Sequence, residues 1–270
     1  MGERLSRVVE ALAASGDPRL DDDYWRVVPA ADGRGAVVLV GVVHDHPASA
    51  HRVASVVAEA APDVLALELP NLAVPYFVGR TARSESPAAG ASDVEDGHAV
   101  ADGGRAVDSV DEMSAAIDAA AADADVVGVD TFTWRFWRAF LARVTSGEVT
   151  ASAVREALEG VGRVVWRALS VRYGSEGGRP DGDGSEYAVD AADDPVDQAA
   201  HERSHVSRSR SLLGALERPA GDVLFDEARE ATMAANVDAL RTSGTVVAVV
   251  GLAHLDAVTD QLTDVERTVD

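Results

Sequence analysis

The sequence contains no cysteine and no lysine. Without cysteine, the chain has no disulfide, no thiolate metal ligand and no cysteine nucleophile. All 24 basic residues are therefore arginines, and 46 acidic residues oppose them, which gives a formal net charge of −22. A surface this negative repels nucleic-acid backbones and anionic membranes, so we expect neither as a partner. It favours a halophilic, cytoplasmic protein whose dense carboxylates are screened by salt.

Long apolar runs are also missing, and aromatic residues make up only 5% of the chain. No stretch approaches the length that a membrane span needs. Segment 1–20 carries charges throughout its apolar part, which predicts a short amphipathic helix rather than a signal peptide. Segments of about 81–109 and 174–210 are acidic, rich in Gly, Ser and Ala, and without periodicity, so we expect two flexible inserts. The remaining sequence is long enough for a single domain over 1–270.

Apolar β-branched runs alternate with segments of helical spacing. Four such runs predict buried strands, at 36–43, 63–69, 125–130 and 244–253. Helical patterns at 48–60, 111–124, 134–143, 149–172 and 222–242 lie between them. This alternation predicts an α/β fold with a mostly parallel sheet flanked by helices.

Each predicted strand is followed by a side chain that can bind a metal, namely His44, Glu68, Asp130 and His254. Because the carboxyl ends of parallel strands meet at one edge of a sheet, we expect these four residues to converge. Imidazole and carboxylate are ligands for Mn, Co, Zn or Fe. The sequence therefore predicts a divalent-metal site, with the alternative that these residues only cap their strands and the helices that follow.

The two histidines share a motif, since both VVLVGVVH and VAVVGLAH end in Gly-x-x-His. With 23 Gly and 7 His in 270 residues, chance alone gives about 0.6 such matches. Both matches follow a predicted buried strand, which chance does not explain. We expect Gly41 and Gly251 to let the chain turn sharply off each strand.

These blocks resemble the TraB/PrgY (pheromone-shutdown) family, which is grouped with Tiki proteases, ChaN-like proteins and erythromycin esterases. The resemblance rests on GVVH with DVLALEL, DEMSAAIDAA with DVVGVD, REATMAANV and VVAVVGLAH, roughly half of the chain. It implies an EreA/ChaN-like fold and a metal-dependent hydrolase that acts on peptides or small molecules. Residue by residue, it points to His44, Glu68, Arg229 and His254, and more weakly to Glu112.

On this reading, Arg229 stabilises negative charge on the substrate and Glu112 orients a histidine. The alternatives are a helix arginine paired with Asp226 or Glu230, and an acid in the first turn of a helix. The sequence departs from the family at Ala228 and Thr131, where relatives carry an acid and an arginine. These departures keep open a second hypothesis, a non-catalytic module that sequesters a peptide, a metal or haem.

The stretch HERSH provides a third hypothesis, because His201, Glu202 and His205 fit the zincin motif His-Glu-x-x-His. Its flanks are polar and form no apolar stripe, so we expect a solvated segment. The aromatic stretch WRFWRAF places Trp134 and Trp137 near one helical face. These residues either pack in the core or form a homodimer contact.

Overall fold

The computed structural model of the chain describes residues 3–31, 33–84, 111–131, 134–145, 187–215 and 219–269, with isolated positions between 152 and 162. Within these residues, one sheet holds five strands. They are β1 (Trp25–Val28), β2 (Val37–Val42), β3 (Val64–Leu67), β4 (Asp125–Gly128) and β5 (Val246–Gly251).

The strand order is β1-β2-β5-β3-β4, so the last strand of the chain lies at the centre of the sheet. β2, β5, β3 and β4 are parallel, and β1 pairs with β2 in the antiparallel direction. The predicted α/β class with a mostly parallel sheet is confirmed. The antiparallel edge strand β1 was not predicted, because four residues are too few to carry a clear period.

Helices cover both faces of the sheet. They are α1 (Glu3–Ala14), α2 (Pro47–Ala60), α3 (Val74–Ser84), α4 (Glu112–Ala119), α5 (Trp134–Thr145), α6 (Pro195–Ala215), α7 (Ala220–Leu240) and α8 (Leu255–Val269). α1, α2 and α4 pack on one face of β2, β5 and β3, and α7 and α8 pack on the other. No helix in this described part of the chain is long and apolar enough to cross a membrane.

Two layers of apolar side chains hold the sheet between these helices. Every residue of β2, β3 and β5 is buried, which explains why their sequences are continuous apolar runs rather than alternating ones. Val38, Val40 and Val249 face α2, whereas Leu39 and Val250 face α7 and α8. The central strands are thus held from both sides, and their carboxyl ends have fixed positions.

The prediction of a flexible segment over 174–210 is wrong for residues 195–210, which belong to α6. Two polar side chains of this helix are buried, Gln198 and Glu202. The Gln198 amide donates to the carbonyl oxygens of Asp190 and Asp193, and Glu202 pairs with Arg52. Buried polar contacts therefore anchor a helix that has no apolar stripe, and such contacts are invisible to a search for periodicity.

The other predicted insert, 81–109, begins inside helix α3, which extends to Ser84. Its remainder and residues 174–186 lie outside the described residues, as does most of the predicted helix 149–172. In α5, Phe136 and Phe140 are buried against Phe225 of α7, and Trp137 packs beside them. This packing agrees with the core interpretation of the aromatic stretch, and a dimer contact through Trp134 and Trp137 stays a prediction.

Candidate active site

The carboxyl edge of the sheet brings together the side chains that follow its strands. His44 lies two residues beyond β2, Glu68 directly after β3, Asp130 two residues beyond β4, and His254 three residues beyond β5. Because β5 lies between β2 and β3, His254 is flanked by the other two strand ends. The predicted convergence of His44, Glu68 and His254 therefore follows from the strand order.

Gly251, the last residue of β5, forms the floor of this site. A methyl group added to Gly251 would lie 3.4 Å from Glu68 Oε2, 3.6 Å from His44 Nε2 and 3.7 Å from His254 Cδ2. The Gly251 amide donates to Glu68 Oε2 over 2.5 Å. One backbone position thus contacts a carboxylate and faces both imidazoles.

The His44 ring is held from behind by Glu112. His44 Nδ1 lies 2.6 Å from Glu112 Oε1, and the Asp45 amide donates to Glu112 Oε2 over 2.9 Å. The hydrogen bond that His44 donates to the Glu112 carboxylate raises the pKa of His44 to about 9. A cation that binds the ring therefore displaces a proton. More than half of the His44 side chain is exposed, whereas Glu112 is 3% exposed. The role predicted for Glu112, orienting a histidine, fits this contact.

His254 has the same arrangement with a different acid. Its Nδ1 lies 2.8 Å from Glu230 Oε1 on helix α7. Burial alone would lower the pKa of His254. The hydrogen bond to the Glu230 carboxylate and the nearby charge of Glu68 outweigh burial, so the pKa is raised. Sequence reasoning considered Glu230 only as a partner of Arg229. The signal it missed is that Glu230 adjoins Arg229, the residue of this helix that was predicted to lie in the site.

Arg229 joins the two remaining acids. Its Nη2 donates to Glu68 Oε1 and to Asp130 Oδ2, each over 2.7 Å, and its Nε donates to Asp130 Oδ1 over 3.2 Å. Burial lowers the pKa of Arg229, but the hydrogen bonds and charge of Asp130 outweigh it. Both oxygens of Asp130 therefore contact the guanidinium, so Asp130 is the counterion of Arg229 in this structure, and its role as a metal ligand stays a prediction. Of the two acids that the sequence offered as partners of Arg229, the charge of Asp226 also raises the pKa of Arg229, whereas Glu230 contacts His254.

The donor set fits a divalent cation in kind. Each imidazole has its Nδ1 on a carboxylate, an arrangement typical of histidines that bind metals. No described residue forms a hydrogen bond with His44 Nε2, whereas His254 Nε2 has Arg229 Nη1 at 3.5 Å. His254 Nε2 lies 3.8 Å from Glu68 Oε1, a span that two coordination bonds of about 2 Å can bridge.

The ligand atoms of His44, Glu68 and His254 do not all lie within 4.8 Å of one another. In the described part of the chain, the only group of three ligand atoms that all lie within 4.8 Å of one another comes from Asp21, Asp22 and Asp23. Since Glu68 and His254 satisfy that limit with each other, His44 Nε2 is the distant atom. His44 is the exposed member of the set, so it is the ligand that has to approach for three-fold coordination.

The two motif glycines lie inside their strands, contrary to the expected sharp turns. Neither has a positive φ, and the left-handed residue of the first turn is Asp45, with φ 58°. A Cβ on Gly41 would come within 2.9 Å of Leu252 Cδ1 and 3.0 Å of Leu255 Cδ2. Gly41 therefore allows Leu252 and Leu255 to pack closely against β2. Gly251 leaves the space between Glu68 and the two histidines free of a side chain.

The zincin hypothesis does not fit the contacts of α6. Glu202 is buried, where it pairs with Arg52 and accepts a 2.6 Å hydrogen bond from the Ser49 hydroxyl. Its carboxylate is therefore not available as a general base. His201 Nδ1 lies 3.1 Å from the Nε2 of His46, so its neighbour is another histidine rather than His205.

His46 is fully buried as the N-cap of α2, and burial lowers its pKa to about 4. Its Nδ1 accepts from the Ala48 amide, which leaves its Nε2 proton for His201. The Tyr187 ring packs edge-on against His46 and His201, and its hydroxyl donates to the His44 carbonyl over 2.8 Å. The segment leading into α6 is thereby tied to the turn that carries His44.

Comparison of the sequence with protein-family models, with curated proteins and with solved structures gives no match. The function is therefore inferred from the residues of the site.

Proposed function

We propose that the chain is a divalent-metal-dependent hydrolase of the TraB/Tiki type that acts on peptides. In this proposal, His44, Glu68 and His254 hold the metal at the carboxyl edge of an EreA/ChaN-like sheet. The observation that carries the proposal is the pair of His–Glu contacts, His44 with Glu112 and His254 with Glu230, on either side of Gly251.

The paired contacts support metal binding because each acid fixes the tautomer and orientation of its imidazole. A carboxylate behind Nδ1 makes Nε2 the more basic ring nitrogen and holds it towards the site. A histidine that only caps a strand has no need of a buried acid brought from a distant helix. Two acids from distant helices, the buried Glu112 at the start of α4 and the half-buried Glu230 in the middle of α7, are more than capping requires.

The side chains of the site supply the other functions that hydrolysis requires. A divalent cation, when bound, supplies Lewis-acid activation of water and of a substrate carbonyl. Glu68 Oε1, 3.8 Å from His254 Nε2, is the carboxylate oxygen on the Nε2 side of that ring and would accept a proton there. Arg229 Nη1, 3.5 Å from His254 Nε2, donates to negative charge that develops on the substrate.

A second candidate function is the non-catalytic module that sequesters a peptide, a metal or haem. The observation in its favour is the engagement of Arg229, whose Nε and Nη2 are already bound to Asp130 and Glu68. An arginine that neutralises two acids has fewer donors left for a transition state.

Hydrolysis of a mixed peptide library by the metal-loaded chain, followed by mass spectrometry in high salt, tests the proposal. We expect cleavage with Mn, Co or Zn that a chelator abolishes. Glu68→Gln should lower turnover by about 10²–10³, the range for loss of one group that acts in the transition state. Glu59→Gln, an exposed acid on α2, is the matched control and should leave turnover unchanged. A metal-loaded wild type that retains peptides or haem and cleaves nothing would establish the second candidate.

A further inference from the structure

A pocket of about 410 Å³ lies beside the candidate active site, between helix α6 and the second Gly-x-x-His turn. Its walls include Arg203, Ser207 and Arg210 of α6 on one side, and Asp23, Tyr24 and Leu252 on the other. No residue of this pocket belongs to the proposed metal or hydrolytic set.

The pocket adjoins the site through the backbone of the turn. Leu252 follows Gly251, the floor of the site, and its amide donates to the Val42 carbonyl over 2.8 Å. Tyr24 directly precedes β1, whose first residue pairs with Val40 of β2. The pocket is therefore at the same carboxyl edge of the sheet, and it shares the turn after β5 with the proposed metal site.

Two arginines of the pocket have no acidic partner. Arg203 and Arg210 are seven residues apart on α6, so their Cα atoms lie on one face at a separation of about 10 Å. Both are exposed, and neither forms an ion pair or a hydrogen bond with any residue in the described ranges. By contrast, Arg19, Arg26, Arg34, Arg52 and Arg229 all pair with carboxylates. In a chain of net charge −22, two guanidinium groups in one pocket that pair with no described carboxylate, Asp23 of the opposite wall included, indicate a place for an external anion.

The opposite wall includes Tyr24, whose ring packs against the Arg52 guanidinium. Tyr24 is 5% exposed, and the Arg52 guanidinium lies 4.0 Å from the centre of its ring. The buried pair of Arg52 with Glu202 holds that guanidinium in place. No described residue forms a hydrogen bond with the Tyr24 hydroxyl. Because this oxygen is not among the fully buried polar atoms that lack a partner, it is accessible at the pocket wall.

We propose that this pocket binds a carboxylate group of the peptide substrate, held by Arg203 and Arg210 with Ser207 between them. The proposal rests on the proposed peptidase function, because it assigns the group that lies next to the cleaved bond. A guanidinium donates two parallel hydrogen bonds to a carboxylate, which is stronger and more directional than a single neutral hydrogen bond. Asp23 on the far wall repels the anion towards α6, where the arginines lie. The carboxylate comes either from the C-terminus of a peptide or from an acidic side chain.

Binding of three matched, N-acetylated peptides tests the proposal. The first has a free C-terminal carboxylate, the second a C-terminal amide, and the third a C-terminal amide with one glutamate in place of glutamine. Affinities are measured by calorimetry with and without Zn²⁺, at the lowest KCl concentration that keeps the chain folded, because salt screens the interaction. We expect at least one of the carboxylate peptides to bind about tenfold more tightly than the neutral amide, and the tighter of the two identifies the source of the carboxylate.

The variant Arg203→Ala/Arg210→Ala should lose this preference while it binds the neutral amide as the wild type does. Arg208→Ala removes an exposed arginine of the same helix that does not line the pocket, and it should keep the preference. Equal affinity of the wild type for all three peptides, or a preference that survives in the double variant, would overturn the proposal. Because the proposed cleavage requires a metal, the affinities measured without Zn²⁺ are free of turnover, so a chain that discriminates carboxylates but cleaves nothing refutes the hydrolase and leaves the pocket intact.

Discussion

His44 Nδ1 lies 2.6 Å from Oε1 of Glu112, a residue 68 positions further along the chain. The acid is buried and the imidazole is exposed. Glu112 therefore fixes a ring that would otherwise rotate freely in solvent, and it leaves Nε2 directed towards Gly251.

Replacing Glu112 with glutamine should weaken metal binding about 10–100-fold, the range for loss of an acid behind a ligand histidine. The amide is a poorer acceptor for the ring, and its NH2 group would face the Asp45 amide. Calorimetric titration with Zn²⁺ measures the change. Glu59→Gln removes the same charge from an exposed site and should bind Zn²⁺ as the wild type does. Equal affinity in the Glu112 variant would mean that this acid has no influence on the metal.

Alanine at the two motif glycines should have opposite effects. Gly251→Ala introduces a methyl group at ordinary contact distances from Glu68 and both histidines, so we expect an unchanged melting temperature and at least a tenfold loss of Zn²⁺ affinity. Gly41→Ala brings a methyl group against Leu252 and Leu255, which should destabilise the fold by about 1–3 kcal/mol. Thermal melting and metal titration of both variants separate the effects. A destabilised Gly251→Ala that keeps its metal would refute our assignment of the floor.

Glu202→Gln should lower the free energy of unfolding by about 3–5 kcal/mol, because it leaves the buried Arg52 guanidinium without its counterion. Both side chains are at most 1% exposed, so water does not replace the lost partner. Urea denaturation at fixed KCl measures the difference, since urea leaves ionic strength unchanged. A loss below about 1 kcal/mol would mean that the pair is solvated and that α6 is not anchored there.

The melting temperature should rise with KCl concentration, because salt screens repulsion among the carboxylates that give the net charge of −22. Circular dichroism over a KCl series is the test, with sucrose as the control for non-ionic effects on the solvent. A melting temperature that is flat, or highest in dilute buffer, would remove the halophilic interpretation.

Much of this fold could be predicted from periodicity, because β2, β3 and β5 are buried on both faces and read as unbroken apolar runs. The convergence of His44, Glu68 and His254 followed from the rule that parallel strands share a carboxyl edge. The partners of these residues could not be predicted in the same way. Which acid reaches which histidine depends on how α4 and α7 pack, and a single sequence does not encode that distance in any local pattern.

Helix α6 is the clearest case of a missed element. Its sequence is polar, and it is anchored by partners that are distant in the chain, since Gln198 accepts from Arg19 and Glu202 pairs with Arg52. The same contacts bear on the zincin-like stretch. Its polar flanks predict a solvated segment, whereas the glutamate of the motif is buried and bound to Arg52.

The central claim is that the two Gly-x-x-His motifs form one metal site. Its most direct test is a calorimetric titration of Zn²⁺ into the wild type and into the variants His44→Ala and His254→Ala. We expect one site in the wild type and no measurable binding in either single variant, with circular dichroism in high salt to show that both remain folded. The double variant His201→Ala/His205→Ala should bind as the wild type does. Full binding by either single variant, or its loss in the double variant, would contradict the account.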